Sequence, residues 1–458
     1  MDDQRGQPDD QYRAVRPIGR VELNERNGVA LAQNSFLGDM LTTLFERRWS
    51  SSGITDTRSI EKMCLSLLDA EGEVSGIRLA TAILDRYAEL DAEAKLAFFQ
   101  FLNSDLEIDP AALHALSAQY LETGAYDDYH AILTTAEPRR QELLRRLNQS
   151  PGATATLVSM RVDLLRLLRE HPELRRTDLD FVHLLRSWFN RGFLVLREIS
   201  WNTPASILEK IVAYEAVHAI NDWDDLRRRL YPPDRRCYAY FHPTMPDEPL
   251  IFVEVALTKN IPSSIQAVLA EDRPQRDASE TRVAVFYSIS NCQYGLQGIS
   301  FGNLLIKQVA DELSQALPQI ETFATLSPIP GLMRWLSDLK DNPTALRLAE
   351  GAGNDDELRE MAAHYLLKER KTSGAPLDPV ARFHLGNGAQ IHAVHAQADL
   401  TEKGQAQSGG AMVNYLYDLT QIEKNHETYV RGEDLPASKA VTGLANAAKA
   451  HLDVTPAD

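Results

Sequence analysis

Between Asn34 and Phe189 apolar residues recur at spacings of three and four, as at Leu157, Met160, Leu164, Leu165, Leu167 and Leu168, which is the period of helices with one buried stripe. Turn signals divide the stretch. Asp109-Pro110 supplies an N-cap with proline at the first helical position, Glu137-Pro138 breaks or restarts a helix, and Thr177-Asp178 precedes the apolar positions Phe181, Leu184, Leu185 and Trp188. The pattern predicts a bundle of roughly six to eight helices. No motif of fixed period repeats along it, so a solenoid is not expected. Arg139-Arg140 and Arg145-Arg146 alternate with Glu142 at helical spacing and read as a solvated helix face.

After Trp188 short β-branched and aromatic runs alternate with longer helical stretches. Residues 193–199, 237–242, 249–258, 283–290 and 322–326 read as strands. Helices are expected from Thr203-Pro204 through His218 and from Asn303 to Leu317, ahead of Pro318. From Met333 to His364 the period is again helical, followed by a short strand around Gln390 to His395 and a helical tail. The expected fold is α+β: a loose tail over residues 1–28, an all-α bundle over 29–186, and an α/β domain over 187–458, the boundary falling near Arg186.

Composition narrows the function. The 458 residues are 44% hydrophobic, enough for real cores in more than one domain. Lys plus Arg number 48 against 65 Asp plus Glu, and a net charge of -17 argues against nucleic acid and anionic lipid as partners. Cys64, Cys237 and Cys292 are an odd set without CxxC spacing, which excludes a disulfide framework or a thiolate-rich metal site and suits a reducing compartment. No apolar run is long enough for a membrane helix. The amino terminus lacks the apolar core of a signal peptide, so a cytoplasmic protein is expected.

The most informative chemistry follows the strand at 283–290 (VAVFYSIS), where a loop holding Gly295, Gly298 and Gly302 opens a helix. Glycines allow close backbone approach, and the free amides of a helix start favour an anion. The loop is neither a Walker loop nor a G-x-G-x-x-G fingerprint. It resembles the Q-x-x-G-x-G/A acyl-CoA loop of the GNAT-type N-acetyltransferase fold, with Gln297 first, Ser300 at the middle glycine position and Gly302 last. A plain glycine-rich turn is the competing reading. Three further segments stand out. His242, Asp247 and Glu254 surround a proline-spaced hairpin and read as turn and strand-edge residues. Ser327 sits on the turn TLSPIPG (325–331) at a strand end, where it could cap the next helix or serve a site. His384 lies among aromatic and glycine residues beside a turn.

Taken together these segments resemble the malonyl-CoA decarboxylase family. The likeness runs through 241–250 (FHPTMPDEPL), 286–290 (FYSIS), 295–298 (GLQG), 325–331 (TLSPIPG) and 383–389 (FHLGNGA), in the family's order, with Trp188-Phe189, 214–218 (YEAVH) and 414–417 (NYLY). The resemblance implies a helical oligomerisation domain followed by an acetyltransferase-like catalytic domain. It also implies conversion of malonyl-CoA to acetyl-CoA and carbon dioxide without metal or other cofactor, the thioester accepting the carbanion as an enolate. Carried across, the catalytic serine falls on Ser327 and the catalytic histidine on His384. Ser288 and Tyr417 match two further active-site polar residues, and Gln297, Gly298, Ile299, Ser300, Phe301, Gly302 and Asn303 match the segment that contacts acyl-CoA.

Two positions depart from the family pattern: relatives carry Glu at Ser300 and Thr at Cys292. The first removes a partner that could raise the pKa of the histidine. The organelle-targeting features of eukaryotic members are absent, which implies a bacterial, cytoplasmic form. A homo-oligomer, dimer or tetramer, is expected through the helical domain. A CoA-dependent acyltransferase, a serine thioesterase and a non-catalytic acyl-CoA-binding protein are the alternatives. The first lacks an acceptor groove, the second a G-x-S-x-G elbow, and the third any need of His384.

Overall fold

Residues 57–299, 305–432 and 434–453 of the computed structural model define the fold. They divide into two compact units: the chain up to Phe189 together with Gln293–Ile299, and Asn190–Cys292 together with the chain from residue 305 onward.

The first unit holds α1 (Ile60–Leu68), α2 (Glu73–Ala88), α3 (Ala92–Ser104), α4 (Pro110–Thr123), α5 (Tyr126–Thr135), α6 (Arg139–Leu147), α7 (Ala153–Leu167) and α8 (Arg175–Trp188). Local signals set several ends. Asp109 accepts from the Ala111 and Ala112 amides at 2.9 and 3.1 Å with Pro110 at the helix start, and α6 begins directly after Pro138. Thr177-Asp178 is not a cap, because α8 already starts at Arg175, behind a 3-10 turn at Pro172–Leu174. Phe98, Phe99, Leu102, Leu143, Leu157, Leu164, Phe181 and Leu185 form the core. Each such side chain contributes about 1.5–3 kcal/mol by leaving water. The arginines of α6 are not one solvated face. Arg140 is buried, hydrogen-bonded to Asp180 and 3.2 Å from Glu107, since a buried guanidinium is tolerated only with carboxylates to meet it.

The second unit is built on one eight-stranded mixed sheet: β1 (Val195–Glu198), β2 (Arg235–Phe241), β3 (Ile251–Thr258), β4 (Val283–Asn291), β5 (Thr322–Thr325), β6 (Ser327–Pro328), β7 (Gln390–His395) and β8 (Met412–Tyr417). The strands β1 to β4 form an antiparallel meander, and β4 pairs with β5 in parallel. Successive parts of β8 then pair with β5 and β6, and β7 runs along it. One face is covered by α9 (Ala205–Tyr214) and α10 (Trp223–Leu230) over Cys237, Ala239, Phe241 and Phe252. On the other, Leu305–Ala316, Leu332–Asp338 and Asp355–Lys368 pack over Tyr238, Val253, Val255 and Phe286. Burial on both faces is why β3 reads as an apolar run interrupted by the single charge Glu254. This is the α+β order of a helical region followed by a mixed-sheet domain.

Three local expectations change. The helix after Pro204 stops at Tyr214, because Glu215 leaves the helix (ψ 108°) and its carboxylate takes the Val217 and His218 amides at 2.8 Å. The tail is not wholly helical: 412–417 is a strand buried in the sheet, and covered on both faces it lacks the alternation that marks strands. A bulge in β7, where Ile391 and Ala393 face the consecutive residues Tyr415 and Asn414, sets His392 outside the regular alternation.

Candidate active site

The parallel pairing of β4 with β5 ends at Phe286 opposite Thr325. Beyond it β4 continues to Asn291 beside β3 alone, while Ser327 turns to pair with Val413 of β8. Pro328 and Pro330 hold that turn, so the Ser327 hydroxyl is preset at the point where the two strands part. The next helix is capped at Gly331 and not by Ser327. His384 lies in the last turn of a helix, α11 (Pro379–Gly386), just before the turn at Asn387-Gly388. Asp378 caps α11 through the Ala381 amide at 2.8 Å, with Pro379 at its first position, the same start signal as Asp109-Pro110.

The two segments bring three expected residues together. His384 Nε2 lies 3.1 Å from Ser327 Oγ, and His384 Nδ1 lies 2.8 Å from Tyr417 Oη on β8. Ser327 donates to Thr325 Oγ1 at 2.9 Å. The assignment consistent with that donor is Nε2–H donating to Ser327 and Nδ1 accepting from Tyr417. The Tyr415 ring stacks on the imidazole, with centroids 4.4 Å apart and planes at 25°. All three site residues are buried. Burial pushes His384 down to about 3, so its imidazole is neutral near pH 7, and pushes the Tyr417 phenol well up, so it keeps its proton.

Ser288 belongs to a second group. It lies opposite Glu254 on β3 and donates to both carboxylate oxygens of Glu215 at 2.7 Å, while Ser290 donates to Glu215 Oε2 at 3.2 Å. Among the described residues no hydrogen bond joins this group to His384. With its proton held by Glu215, the buried Ser288 hydroxyl has only lone pairs left to offer. Glu215, Thr325 and Tyr415 all lie inside the sequence segments singled out, but nothing in their spacing marked them. Their role comes from the register of β4, β5 and β8.

Of the glycine loop, Gln297, Gly298 and Ile299 are described, and Ser300, Phe301, Gly302 and Asn303 lie outside the described residues. A 3-10 turn at Tyr294–Leu296 leads to Gly298, whose φ of 77° requires a residue without Cβ. Gly295 is tighter: a Cβ there would stand 2.0 Å from the Val158 carbonyl oxygen. Glu254 is not a strand-edge residue. It is fully buried in mid-sheet, its carboxyl is raised to about 8 by that burial with Glu215 adding, and Arg229 reaches it at 3.2 Å. His242 does occupy a turn, bonded to Thr244 at 2.7 Å. Among the described residues no three His, Cys, Asp or Glu side chains converge as a metal site would need, and no helix is long and apolar enough to cross a membrane.

Comparison with known proteins settles the family. Residues 106–189 match the malonyl-CoA decarboxylase N-terminal domain, and residues 192–355 and 351–454 match the C-terminal domain. The mitochondrial malonyl-CoA decarboxylase of Anser anser anser is 34% identical over 413 residues, covering 79% of this chain and 82% of that protein. The chain belongs to the malonyl-CoA decarboxylase family. Solved malonyl-CoA decarboxylase structures agree. That from Rhodopseudomonas palustris is 47% identical with a TM-score of 0.80 over 84% of this chain and 98% of its own. That from Agrobacterium vitis gives the same identity and score over 84% and 99%. The family is one of carboxy-lyases.

Proposed function

We propose that this protein decarboxylates malonyl-CoA to acetyl-CoA and carbon dioxide, through a thioester enolate protonated at C2 by the Ser327–His384 pair. One observation carries the reading: a buried, neutral histidine 3.1 Å from a serine fixed where two strands part. Loss of carbon dioxide breaks the C2–carboxyl bond and leaves its electron pair in the thioester enolate. That step disperses charge, so a site without water favours it over the localised carboxylate. The thioester carbonyl accepts the electrons, and no metal or organic cofactor is needed.

The substrate supplies what the resting site lacks. A carboxylate about 4 Å from the imidazole, at an effective dielectric constant of about 20, stabilises the imidazolium by about 4 kcal/mol. That equals about a thousandfold in proton affinity, which acts against the burial that holds His384 down. His384 therefore gains a proton with the malonyl group and gives it to C2 when the carboxylate has gone. Ser327 and Tyr417 orient the ring. The deciding experiment is incubation with malonyl-CoA and separation of products by mass. Acetyl-CoA and carbon dioxide are expected, whereas free CoA and malonate would make the protein a thioesterase.

The same reading gives the helical unit a partner. Neither α4 nor α5 buries a residue, and Leu121, Tyr126 and Leu133 are 88, 76 and 54% exposed. A second copy covering this hairpin makes the homo-oligomer. Leu121→Glu with Leu133→Glu should then lower the mass seen by light scattering. The cysteines Cys64, Cys237 and Cys292 are free and buried, which suits a cytoplasmic enzyme.

A further inference from the structure

The helix α7 carries a charge where its pattern calls for an apolar residue. Arg161 stands four residues after Leu157 and three before Leu164, both buried, and its own side chain is 3% exposed. Asp178 occupies one edge of the guanidinium, taking Nε at 2.7 Å and Nη2 at 3.4 Å. The remaining nitrogen, Nη1, donates to two carbonyls of the glycine loop, Gly295 at 2.7 Å and Gln297 at 2.8 Å. One helical turn earlier, the Val158 carbonyl oxygen touches Gly295 so closely that only glycine fits. The loop is thus fixed to α7 at two independent points.

Pinning these carbonyls decides where the amides face. Every described peptide is trans, so the Gly298 N–H, in the same peptide unit as the Gln297 carbonyl, points away from Arg161. The turn's internal hydrogen bonds use the amides of Leu296, Gln297 and Ile299. Among the described residues the Gly298 amide enters none of these bonds, and it sits on a backbone with φ of 77°.

We propose that Arg161 is a positioning residue for acyl-CoA binding: it holds the loop carbonyls inward so that the Gly298 amide stays presented to the CoA diphosphate. This rests on the reading that the loop contacts acyl-CoA. The helical unit then contributes to substrate affinity as well as to assembly. By linkage, CoA must in turn stabilise α7 around Arg161.

The test is Arg161→Met, which keeps the buried stem and removes the donors, made alone and with Asp178→Asn so that no carboxylate is left unpaired. Calorimetry with CoA should give a Kd raised about tenfold or more, as for loss of charge-assisted hydrogen bonds. KM for malonyl-CoA should rise in parallel while kcat stays within about threefold, because Arg161 touches none of the proton-transfer residues. Arg161→Lys, with a cation but no fork, should fall between. Amide exchange of the unaltered protein should slow across α7 when CoA is added, a readout that needs no variant to fold. Unchanged CoA affinity in a folded Arg161→Met protein, or unchanged exchange in α7, overturns the proposal. Gly298→Val separates the two readings. If it loses CoA affinity while Arg161→Met keeps it, only the role of Arg161 fails; if it also binds CoA normally, the loop reading fails and this proposal with it.

Discussion

His384 Nε2 lies 3.1 Å from the Ser327 hydroxyl although 57 residues separate them in the chain. Two groups joined by one hydrogen bond and serving one proton transfer act as a unit, and their removal is non-additive. Ser327→Ala and His384→Ala are each expected to lower kcat by about a hundredfold or more, with the double variant costing little beyond either single one. Steady-state kinetics on the four proteins of the cycle checks this. Effects that multiply independently would dissolve the pair.

Acid stability provides a test that needs no substrate. His384 titrates near 3 when folded, against an ordinary value of about 6.5. As pH falls through about 6.5 the unfolded chain takes up a proton that the folded protein refuses until about 3, so folding loses about 1.4 kcal/mol per pH unit across that window. His218, lowered to about 4 chiefly by burial, acts in the same sense. Glu254, raised to about 8, and Asp378, raised to about 6, act oppositely, since the folded state holds their protons while the unfolded state has released them. The total curve is therefore a mixture, and the difference between two proteins is not. His384→Asn should flatten the acid limb of the urea-unfolding profile between pH 6.5 and 4 by about 1.4 kcal/mol per pH unit relative to the unaltered chain. Parallel limbs would mean that the imidazole is charged when folded.

The helical first half and the strands through residue 325 were legible because their signals are local. Asp109-Pro110 capped a helix as read, and 283–290 formed β4, which extends one residue further, to Asn291. What the sequence hid depends on pairing at a distance. The strand 412–417 lies buried between partners, so its pattern has no period, and its place beside Ser327 follows from register alone. Arg140 carried the pattern of a solvated face, and only the fold brings Asp180 to it. Ser327, His384 and Tyr417 were nameable from family likeness, and their proximity is a property of β6, α11 and β8 meeting. Ser288 was named with them, yet a bulge in β3–β4 pairing sets it opposite Glu254 and onto Glu215.

Two glycines should respond to alanine with opposite signs. At Gly295 the new Cβ would meet the Val158 carbonyl oxygen at 2.0 Å and its carbon at 2.9 Å, backbone atoms that cannot rotate aside. Gly295→Ala should cost about 1–3 kcal/mol of stability, as overpacking does, and raise KM by moving the loop. Gly443 lies within the helix Lys439–Ala447 with nothing within 4 Å of the added carbon. There alanine should stabilise by about 0.5–1 kcal/mol through helix propensity. Thermal unfolding of the two variants checks both signs, and a neutral Gly295→Ala would show that the loop sits free of α7.

The proposed mechanism predicts metal independence, because of where the electrons go. Decarboxylation of a β-keto acid derivative needs an acceptor for the carbanion, and in malonyl-CoA the thioester carbonyl is already conjugated to it. A Lewis acid would have to sit against that carbonyl, held by side chains that also leave His384 free to protonate C2. Ser327 and Tyr417 are already committed to the imidazole at 3.1 and 2.8 Å, and neither hydroxyl is a strong ligand while protonated. The expected outcome is full turnover after exhaustive dialysis against chelator, with kcat and KM unchanged within error and no stimulation by added zinc, manganese or magnesium. Activity that disappears on chelation and returns with one of these ions would place a metal at the enolate and make His384 a ligand or an orienting group. Measuring bound metal per chain before and after dialysis, alongside the rate, distinguishes that result from an ion that only stabilises the fold.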